Sequence, residues 1–501
     1  MRHVVIGGGI AGVCCVEELC RLATSDEVVL ISASTVLKGI DAVINITKTI
    51  EEVLVAEKDL ASLQYANLTV LQGAVTSVDV AAKVVRLASG THVTYDRLCI
   101  AAGARPKVLG FCHERVITLR DTQSVQDFAS RLGRARRIAV AGNGGIALEL
   151  IGALRDVEVV WVLKHGHIGD AFFDVDAAEF LLGVLQHQQQ PRAARQHKQQ
   201  QPPPQQELQQ QQQQPYQQQE QQRPNQQQQQ QQQPVRGHAA GPKWVNQLPA
   251  GGLPANVVHA ASEPPPQQPS SAAAAAAAAA DASHCVTDGR WPLYLQLSSG
   301  DCLGVDLLVQ AIGVEPATDW LPAELARAAD GGILVDGSMQ SVSVPGVFAA
   351  GDCCTVDPGC TAPHWFQMRL WGQARLMGCQ AAAAMAGTLE TELQPFSFEL
   401  FTHVTRFLGK RVVLLGLYNG QKLQHQPQQD MVMYTRALDT GTADATFVRV
   451  LLLRGRMQGA VLLGDTDLEE TFENLILDGL DLSQFGAQLL DPDIELDHVF
   501  D

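Results

Sequence analysis

A glycine-rich turn near the start of the chain is the feature that most constrains its fold. The stretch HVVIGGGIAGVCCVEEL runs from a strand-like segment into a helix-like one, and Gly7, Gly9 and Gly12 form the pattern GxGxxG. The first glycine of this pattern permits a tight turn, the second lets the backbone approach a pyrophosphate, and the third lets the helix pack on the strand. Because the helix N-terminus then faces the phosphates, we predict a Rossmann-like dinucleotide-binding domain.

A second turn of the same kind lies further along the chain. The stretch RIAVAGNGGIALEL contains Gly142, Gly144 and Ala147 in the pattern GxGxxA, again between a strand and a helix. Short Val, Ile and Leu runs alternate with helical stretches around both turns, which is typical of α/β domains with parallel sheets. After Pro395 the pattern changes to antiparallel strands followed by a helix. The sequence therefore predicts two dinucleotide-binding domains, two dinucleotides and a C-terminal α+β domain.

Residues 186–285 differ in composition from the rest of the chain. They are dominated by Gln, Pro and Ala, with polyglutamine runs and nine alanines at Ala272–Ala280. Such a segment cannot bury enough apolar surface to offset the entropy lost on ordering, so we predict a long disordered insert. Strand-like runs resume in PLYLQLSSGDCLGVDLLVQAIG, which indicates that the insert leaves and re-enters one domain at a surface loop.

The charge of the chain is strongly acidic and unevenly placed. Lys and Arg together number 36 and Asp and Glu number 53, which gives a net charge of −17. This field repels phosphate backbones, so we expect no direct binding to nucleic acid. From Met457 to Asp501 there are 12 acidic residues and no Lys or Arg. This acidic C-terminal region is either a solvated surface or a docking surface for a basic partner.

The cysteines indicate free thiols. The eleven cysteines form no CxxC motif, and no leader-like segment precedes the first strand, so we expect a reducing compartment and a cytoplasmic or nuclear location. No apolar run reaches the roughly 20 residues of a membrane helix, so we expect no membrane partner. Cys353 and Cys354 follow Asp352 in VFAAGDCC, and we interpret them as small buried side chains without a redox role. The sequence predicts no metal site.

Three further stretches point to a family. LCIAAGARP and LVQAIGVEP each end a strand in small residues followed by Gly and Pro, and GVFAAGD places Asp352 at a strand end. With the two glycine-rich turns, they resemble the FAD/NAD(P)-dependent pyridine nucleotide-disulphide oxidoreductase superfamily. The resemblance implies that the first turn holds FAD and that the second holds NADH or NADPH as exchangeable reductant. It also implies that Asp352 hydrogen-bonds the ribityl chain of the flavin.

The same resemblance assigns individual residues to the two cofactors. For FAD it implies contacts by Gly7, Gly9, Ile10, Ala11, Gly12, Ser32, Ala74, Val75, Ala102, Gly103, Gly351 and Asp352. For NAD(P) it implies contacts by Gly142, Gly144, Gly145, Ile146, Glu149, Lys164 and Gly313. Glu149 resembles a family glutamate near the nicotinamide, and it and His364 are the candidate catalytic residues. Trp365, Met368 and Trp371 in HWFQMRLWGQAR are predicted to lie in the core.

The chain departs from the superfamily in its cysteines. Dithiol members carry CxxxxC some tens of residues after the first turn, where this chain reads LKGIDAVINITKTIEE without a cysteine. A CxxxxC does occur at Cys15 and Cys20, but helix residues five apart face about 140° apart, so we interpret it as a chance match. Electrons must then leave the flavin without an active-site disulfide.

Two further departures concern nucleotide recognition. Ser32, with Ser34 nearby, stands where superfamily members usually place the acid that binds the adenosine ribose of FAD. Leu163 and Lys164 stand where NAD-selective members place an acid, and His165 follows. Without a carboxylate to repel a 2′-phosphate, use of both NADH and NADPH is expected. The alternative is that the two basic residues are simply solvated.

Five stretches narrow the resemblance: GNGGIALEL, FFDVDAAEFL, QMRLWGQAR, FSFELFTHVT and GDTDLEETFENLIL. They are similar to the group of pyridine nucleotide-disulphide oxidoreductase domain-containing protein 1. Membership implies an FAD enzyme that uses NAD(P)H and a link to the oxidative protection of a tRNA ligase. The expected domains are 1–120 and 326–394 for FAD, 121–325 for NAD(P), and 395–501 for the C-terminal α+β domain.

The function favoured by the sequence is an FAD-dependent NAD(P)H oxidoreductase whose acceptor is oxygen, a quinone or a protein. The alternative is a redox-sensing binding protein, in which the NAD(P)H-reduced flavin controls association with a partner. A tRNA ligase complex that docks on the acidic C-terminal region would be such a partner. A scaffold that has lost the flavin is a third interpretation. The superfamily resemblance also implies that the C-terminal domain could form a homodimer.

Overall fold

The computed structural model describes residues 1–119, 122–155, 157–164, 166–189, 243–244, 253–263, 285–286, 290–389, 399–440, 442 and 444–491. The chain divides into two compact units. Unit 1 comprises Met1–Lys107, Gly313–Leu438 and Thr446–Asp501, and unit 2 comprises Val108–Ile312 and Asp439–Ala445. Each unit contains one of the two glycine-rich turns.

The α-helices of the described residues are α1 (Ile10–Leu22), α2 (Thr122–Leu132), α3 (Gly145–Ala153), α4 (Val175–Gln189), α5 (Trp371–Ala386) and α6 (Glu469–Asp478). None of the helices in the described part of the chain is long and apolar enough to cross a membrane.

The strands follow in chain order. Before residue 110 they are β1 (Arg2–Ile6), β2 (Glu27–Ser32), β3 (Val36–Asn45), β4 (Glu51–Asp59), β5 (Leu68–Gln72), β6 (Val75–Asp79), β7 (Val84–Leu87), β8 (His92–Thr94), β9 (Arg97–Ile100) and β10 (Ala104–Pro106). The next are β11 (Val116–Thr118), β12 (Arg137–Ala141), β13 (Glu158–Leu163), β14 (Lys243–Trp244), β15 (Leu253–Pro254), β16 (Val257–Ala261), β17 (Cys285–Val286), β18 (Leu293–Leu297), β19 (Cys302–Val305) and β20 (Leu307–Gln310). The last are β21 (Val314–Pro316), β22 (Ile333–Val335), β23 (Val347–Ala349), β24 (Cys354–Val356), β25 (Thr402–Phe407), β26 (Lys410–Gly416), β27 (Met431–Leu438), β28 (Thr446–Leu453) and β29 (Arg456–Leu463).

The central sheet of unit 1 is parallel and has the strand order β5-β2-β1-β9-β23. Its strands β1 and β2 read RHVVI and EVVLIS and are almost entirely buried, as expected where helices cover both faces of a parallel sheet. The direction of strand order reverses between β1 and β9. In open α/β sheets this is where the crevice at the carboxyl ends of the strands receives ligands.

Unit 2 repeats this arrangement with the parallel order β11-β20-β12-β13-β14, and β15 also pairs with β13. A second sheet of unit 2 has the order β16-β18-β19-β17. Together with unit 1, this sheet architecture confirms the predicted α/β class with two Rossmann-like domains.

Parts of the predicted insert 186–285 have regular structure. Helix α4 continues to Gln189, and β16 pairs with β18 in antiparallel register. The physical reason is local composition, because VVHAA interrupts the Gln- and Pro-rich stretches with β-branched and apolar residues that can join a sheet edge. The polyglutamine runs and Ala272–Ala280 lie outside the described residues.

The C-terminal part of unit 1 is an antiparallel sheet of order β25-β26-β29-β28-β27 with α6 packed against it. Its core includes Val413, Val450, Leu462, Phe472 and Ile476, all of them fully buried. The predicted C-terminal α+β arrangement is therefore confirmed. The domain limits at residues 120, 325 and 395 remain a prediction.

Candidate functional site

The first glycine-rich turn shows why it needs glycine. Gly7 has a φ of +119°, and a Cβ there would lie 2.1 Å from the carbonyl oxygen of Ala101, just beyond β9. A Cβ on Gly12 would lie 2.0 Å from the carbonyl oxygen of Gly7, so α1 packs directly on the turn. At Gly9, by contrast, no described atom lies within 4 Å of where a Cβ would be. The open side at Gly9 is the space that a pyrophosphate would occupy.

The second turn has the same geometry on its own sheet. Gly142 has a φ of +134°, and a Cβ there would lie 2.0 Å from the carbonyl oxygen of Ala311, just beyond β20. No atom of the described chain lies within 4 Å of a Cβ placed on Gly144, which caps the N-terminus of α3. Unit 2 thus contains a second turn with a packed first glycine and an open second one.

Two residues that the motif does not name hold the second turn in place. The indole nitrogen of Trp161, in β13, donates to the carbonyl oxygen of Gly142 at 2.7 Å. The side-chain amide of Asn143 donates to the carbonyl oxygen of His167 at 2.7 Å and accepts from the amide of Gly169 at 2.5 Å. Asn143 thereby ties the turn to the loop that follows β13. In the sequence, only its position between two motif glycines could have indicated this role.

The Gly351–Asp352 turn follows β23 and meets α1. Gly351 has a φ of +75°, and a Cβ there would lie 2.8 Å from the Cβ of Ala11. Within the described residues, the carboxylate of Asp352 has no hydrogen-bond donor. Burial raises the pKa of this carboxyl group, and the positive charge of Arg369 opposes that shift only in part. A half-buried carboxylate without a donor is suited to accept hydrogen bonds from hydroxyl groups of a ligand.

Arg369 is a functional residue that the sequence analysis missed. Its Nε donates to the carbonyl oxygen of Asp352 at 3.1 Å, and its Nη2 lies 2.6 Å from Oδ2 of Asp330. The hydroxyl of Thr355 donates to the same carboxylate of Asp330 at 2.8 Å. This chain of contacts fixes the backbone of the Asp352 turn. No local pattern marks Arg369, because its partners are far from it in sequence.

The adjacent cysteines after Asp352 are packed inside the fold. The thiol of Cys353 donates to the carbonyl oxygen of Ile100 at 3.1 Å, and that of Cys354 donates to the carbonyl oxygen of Gly351 at 3.3 Å. Burial raises the pKa of Cys353 to about 12 and also raises that of Cys354. Thiols held in the protonated state are poor nucleophiles. The geometry therefore supports the interpretation of Cys353 and Cys354 as structural.

The segment that carries the dithiol in other superfamily members is here the β3–β4 hairpin. Its tip enters the core of the C-terminal sheet, where Ile50 is fully buried. The amide of Thr49 donates to Oε1 of Glu473, on α6, at 2.7 Å, and Glu473 is only 1% exposed. The hairpin is thus anchored by an apolar and a polar contact. This placement could not be inferred from the sequence, since the contacting residues are about 420 positions apart.

Replacing Glu473 by leucine is expected to destabilise unit 1 by about 1–3 kcal/mol, because the buried amide of Thr49 loses its acceptor. The measurement is the free energy of unfolding in urea. Glu470→Leu is the matched control, since Glu470 is an exposed glutamate in the first turn of the same helix. An equal loss of stability in the two variants would show that the Thr49 contact contributes nothing.

The remaining predicted FAD residues all lie in unit 1. Ser32 is 2% exposed, and its hydroxyl donates to the carbonyl oxygen of Ser34 at 2.8 Å. This hydrogen bond stabilises the loop that follows β2. Ala74 accepts a hydrogen bond from the amide of Ala88, and Val75 begins β6. Gly103 has a φ of +70° and accepts from the amide of Ala317 at 3.0 Å. Ile10 and Ala11 open α1, and Ala102 follows β9.

The predicted NAD(P) residues lie in unit 2, with one exception. Gly145 and Ile146 begin α3, and the side chain of Ile146 is 41% exposed. Glu149 projects from the same helix, and partial burial raises the pKa of its carboxyl group although the residue is exposed overall. Lys164 is exposed directly after β13. Gly313 is the first residue of unit 1 after unit 2 ends at Ile312, and it lies two residues after Ala311, whose carbonyl oxygen faces Gly142. His165 lies outside the described residues.

His364 and its neighbours face the C-terminal sheet. Burial lowers the pKa of His364, the hydrogen bond with Gln458 opposes this shift, and the charge of Lys422 reinforces it. The carbonyl oxygen of His364 accepts from the amide of Phe401 at 3.0 Å. Trp365 is 2% exposed, as predicted for a core residue. The prediction for Trp371 was wrong, because this side chain is 56% exposed at the start of α5. In the described residues no group of His, Cys, Asp and Glu could hold a metal ion.

A family model for pyridine nucleotide-disulphide oxidoreductases matches residues 1–190 and 277–386, which include both turns and Asp352. The chain belongs to this oxidoreductase family. The resemblance drawn from the sequence motifs is thereby confirmed. The two matched segments flank the Gln-rich insert, so the family match rests on the residues that build the two Rossmann-like sheets.

Relatives that match over nearly the whole chain identify a smaller group within the family. The mouse pyridine nucleotide-disulfide oxidoreductase domain-containing protein 1 is 37% identical over 99% of this chain and 98% of its own length. The zebrafish protein of the same name is 38% identical over 100% of this chain and 98% of its own length. The Dictyostelium discoideum protein is 34% identical over 99% of both chains. These matches confirm the narrower group.

Solved structures share the fold at low identity. The water-forming NADH oxidase from Lactobacillus brevis bound to NADH has a TM-score of 0.63 at 16% identity and covers 97% of this chain and 92% of its own. A NAD-dependent persulfide reductase from A. fulgidus has a TM-score of 0.65 at 17% identity and covers 100% of this chain and 83% of its own. At such identities the likeness concerns the fold alone.

Proposed function

We propose that this protein is an FAD-dependent NAD(P)H oxidoreductase that works without an active-site disulfide. The observation that carries the proposal is the pair of equivalent turns, each with a packed first glycine and an open second glycine, at Gly7 and Gly9 and at Gly142 and Gly144. Two such turns in a family of oxidoreductases are what a chain needs to hold one dinucleotide and exchange another.

The residues of unit 1 fit FAD in three respects. The open side of Gly9 and the N-terminus of α1 would receive the pyrophosphate, whose charge the helix end stabilises. The unpaired carboxylate of Asp352 would accept hydrogen bonds from the ribityl hydroxyls, and Arg369 positions the turn that carries it. When bound, FAD would accept two electrons from NAD(P)H and pass them to an acceptor. The hairpin at the dithiol position offers no thiol to receive them.

In unit 2 the residues fit a nicotinamide dinucleotide. The open side of Gly144 and the N-terminus of α3 would hold its pyrophosphate, and Trp161 and Asn143 keep that turn in place. Glu149, on the same helix, has a carboxyl group whose pKa burial raises, and we propose it as the residue that positions the nicotinamide. His364 is the weaker of the two proposed catalytic residues, because its contacts are with the C-terminal sheet.

The test is an anaerobic titration of the purified protein with NADH and then with NADPH, followed by admission of air. Loss of the flavin absorbance on titration and its rapid return in air would support an oxidoreductase with oxygen as one acceptor. A quinone or a protein would be the acceptor if only its addition restores the absorbance. Prior alkylation of the exposed thiols with N-ethylmaleimide should leave the titration unchanged, because no cysteine replaces the missing dithiol. A colourless protein would contradict the proposal.

We propose that the chain uses both NADH and NADPH. Lys164 follows β13 in an exposed position and forms no ion pair with any described residue, so its ammonium is available to a 2′-phosphate. Lys164→Glu is expected to raise the KM for NADPH about tenfold and to leave that for NADH within twofold, since repulsion replaces an attraction of about 1 kcal/mol. Steady-state kinetics with both nucleotides measure this difference.

Arg134→Glu is the matched control for that experiment. Arg134 is exposed in the same unit but precedes β12, at the opposite end of the parallel sheet from Lys164. An increase in KM that is equal for NADH and NADPH in the Lys164 variant would mean that this lysine does not recognise the 2′-phosphate.

A second candidate function is redox-dependent binding of a partner. The observation that favours it is the hairpin whose tip, through Ile50 and Thr49, joins the segment beside the first dinucleotide site to the C-terminal sheet. Reduction of bound flavin could then alter a partner surface on the acidic C-terminal region, and the partner would be a tRNA ligase complex that is protected from oxidation. Equal affinity of that complex for the oxidised and the NADH-reduced protein would exclude this function. Independently of this second function, we propose a homodimer formed through the C-terminal domain and a cytoplasmic or nuclear location.

A further inference from the structure

A second pair of thiols lies where α1 and α5 cross in unit 1. The two helices approach so closely that a Cβ on Gly378 would lie 2.3 Å from the carbonyl oxygen of Ala11. Next to this contact, Cys14 on α1 and Cys379 on α5 are neighbours whose thiols interact with each other. Both cysteines are free. No part of the proposed cofactor chemistry uses them.

The two thiols differ in exposure and in charge. Cys14 is 5% exposed, whereas Cys379 is partly exposed to solvent. The neighbouring thiol of Cys14 lowers the pKa of Cys379, the charge of Arg375 also lowers it, and burial and the carboxylates of Glu18 and Glu17 oppose both effects. The interaction with Cys379, together with burial, raises the pKa of Cys14. A partly exposed thiol with a stabilised anionic form, beside a protonated neighbour, is the arrangement of a reactive cysteine and its resolving partner.

We propose that Cys379 and Cys14 form a peroxide-reactive dithiol, in which Cys379 is the thiolate that attacks and Cys14 is the thiol that resolves. The Cys379 sulfur attacks one oxygen of hydrogen peroxide, the O–O bond breaks, and sulfenic acid and water form. The Cys14 sulfur then attacks the sulfenic sulfur, the S–OH bond breaks, and a second water leaves with the proton of Cys14. Two thiols are oxidised to one disulfide, and one hydrogen peroxide is reduced to two waters.

The position of the pair gives this disulfide a structural consequence. Helix α1 begins at the first glycine-rich turn, and α5 begins just after Arg369, whose Nε donates to the carbonyl oxygen of Asp352. A covalent link between the helices would tie together the two segments that build the candidate FAD site. Formation of the link depends only on the thiols and therefore holds or fails independently of the proposed cofactor function.

The chain contains a matched control pair. Cys15, on the next position of α1, interacts with the neighbouring thiol of Cys99 on β9, but both side chains are fully buried. Peroxide should not reach them. Cys360, in contrast, is exposed. Comparison of the three sites separates the effect of a neighbouring thiol from the effect of exposure alone.

The experiment treats the purified, flavin-loaded protein with one equivalent of hydrogen peroxide, alkylates the remaining thiols and maps the cysteines by mass spectrometry without reduction. We expect a cross-linked peptide containing Cys14 and Cys379, loss of two thiols per chain, and recovery with dithiothreitol. Cys379→Ser should abolish this loss, Cys14→Ser should leave a sulfenic acid at Cys379 that dimedone traps, and Cys99→Ser should change nothing. The same thiol loss in Cys379→Ser and the unaltered protein would overturn the proposal.

A measurement on the unaltered protein keeps the proposal testable if a serine variant fails to fold. The rate of alkylation by iodoacetamide at pH 7 is followed for Cys379 and for Cys360 in the same sample. We expect Cys379 to react at least about fivefold faster, because alkylation requires the thiolate. A slower reaction at Cys379 than at the exposed Cys360 would show that the environment does not activate it.

Discussion

Replacing Gly12 by alanine is expected to destabilise unit 1 by more than about 4 kcal/mol, whereas replacing Gly9 by alanine is expected to leave its stability unchanged and to weaken FAD binding. At Gly12 a methyl group would lie 2.0 Å from the carbonyl oxygen of Gly7, and backbone must move to admit it. At Gly9 a methyl group would meet no described atom within 4 Å and would project into the space assigned to the pyrophosphate. The two glycines of one motif therefore serve different purposes.

The measurements are urea unfolding of the flavin-free protein and equilibrium binding of FAD by each variant. The Gly9 variant should unfold at the same urea concentration as the unaltered protein and should bind FAD at least about tenfold more weakly, a loss of 1.4 kcal/mol or more. Gly144→Ala provides the corresponding control in unit 2, since its site is equally open and should affect only the nicotinamide nucleotide. Normal FAD affinity in the Gly9 variant would contradict the assignment of this turn.

Replacing Asp352 by alanine is expected to weaken FAD binding by about ten- to a hundredfold, the range of a hydrogen bond to a charged group of about 1.5–3 kcal/mol. The physical reason is that its carboxylate has no donor within the described residues and is free for a ligand hydroxyl. Asp357→Ala is the matched control, because Asp357 only caps the neighbouring 3₁₀ turn through the amide of Gly359. Equal FAD affinities of the two variants would show that Asp352 does not contribute to FAD binding.

The pH dependence of a second variant at this position, Asp352→Asn, gives an independent check. Burial raises the pKa of Asp352, so ionisation of the carboxyl group is less favourable in the folded flavin-free protein than in the unfolded chain and costs stability. That cost is absent below the ordinary pKa of an aspartate and is fully present above the raised pKa. We therefore expect Asp352→Asn to stabilise the flavin-free protein at neutral pH, and the gain over the unaltered protein to vanish as the pH is lowered. Thermal unfolding of Asp352→Asn and of the unaltered protein between pH 4 and pH 8 measures this gain in stability.

Local sequence patterns were sufficient for the fold class. The GxGxxG and GxGxxA turns lie between strands and helices as predicted, and each first glycine has the positive φ that the motif requires. These features were predictable because a motif of six residues contains both the turn and the start of its helix. The strand β16 within the predicted insert was not foreseen, since VVHAA was too short a run to separate from its surroundings.

The supporting contacts of the site could not be predicted in this way. Arg369 reaches Asp352 and Asp330 across 17 and 39 positions, and no spacing rule connects an arginine to a distant backbone carbonyl. The indole nitrogen of Trp161 supports the second turn. Its strand, EVVWVL, has the sequence of an ordinary buried strand and gives no sign of this contact. The exposure of Trp371 was predicted wrongly, because an apolar residue at a helix start carries no signal of what covers it.

The sequence by itself determined which backbone positions must be glycine and where an acid could meet a flavin, because those requirements are local to a turn. Only the tertiary structure decided what surrounds them. It placed a hairpin where other superfamily members carry a dithiol, anchored Ile50 in the C-terminal core, and brought Cys14 of α1 against Cys379 of α5. Such contacts join residues hundreds of positions apart. They follow from how helices and sheets pack, which no single stretch of the chain encodes.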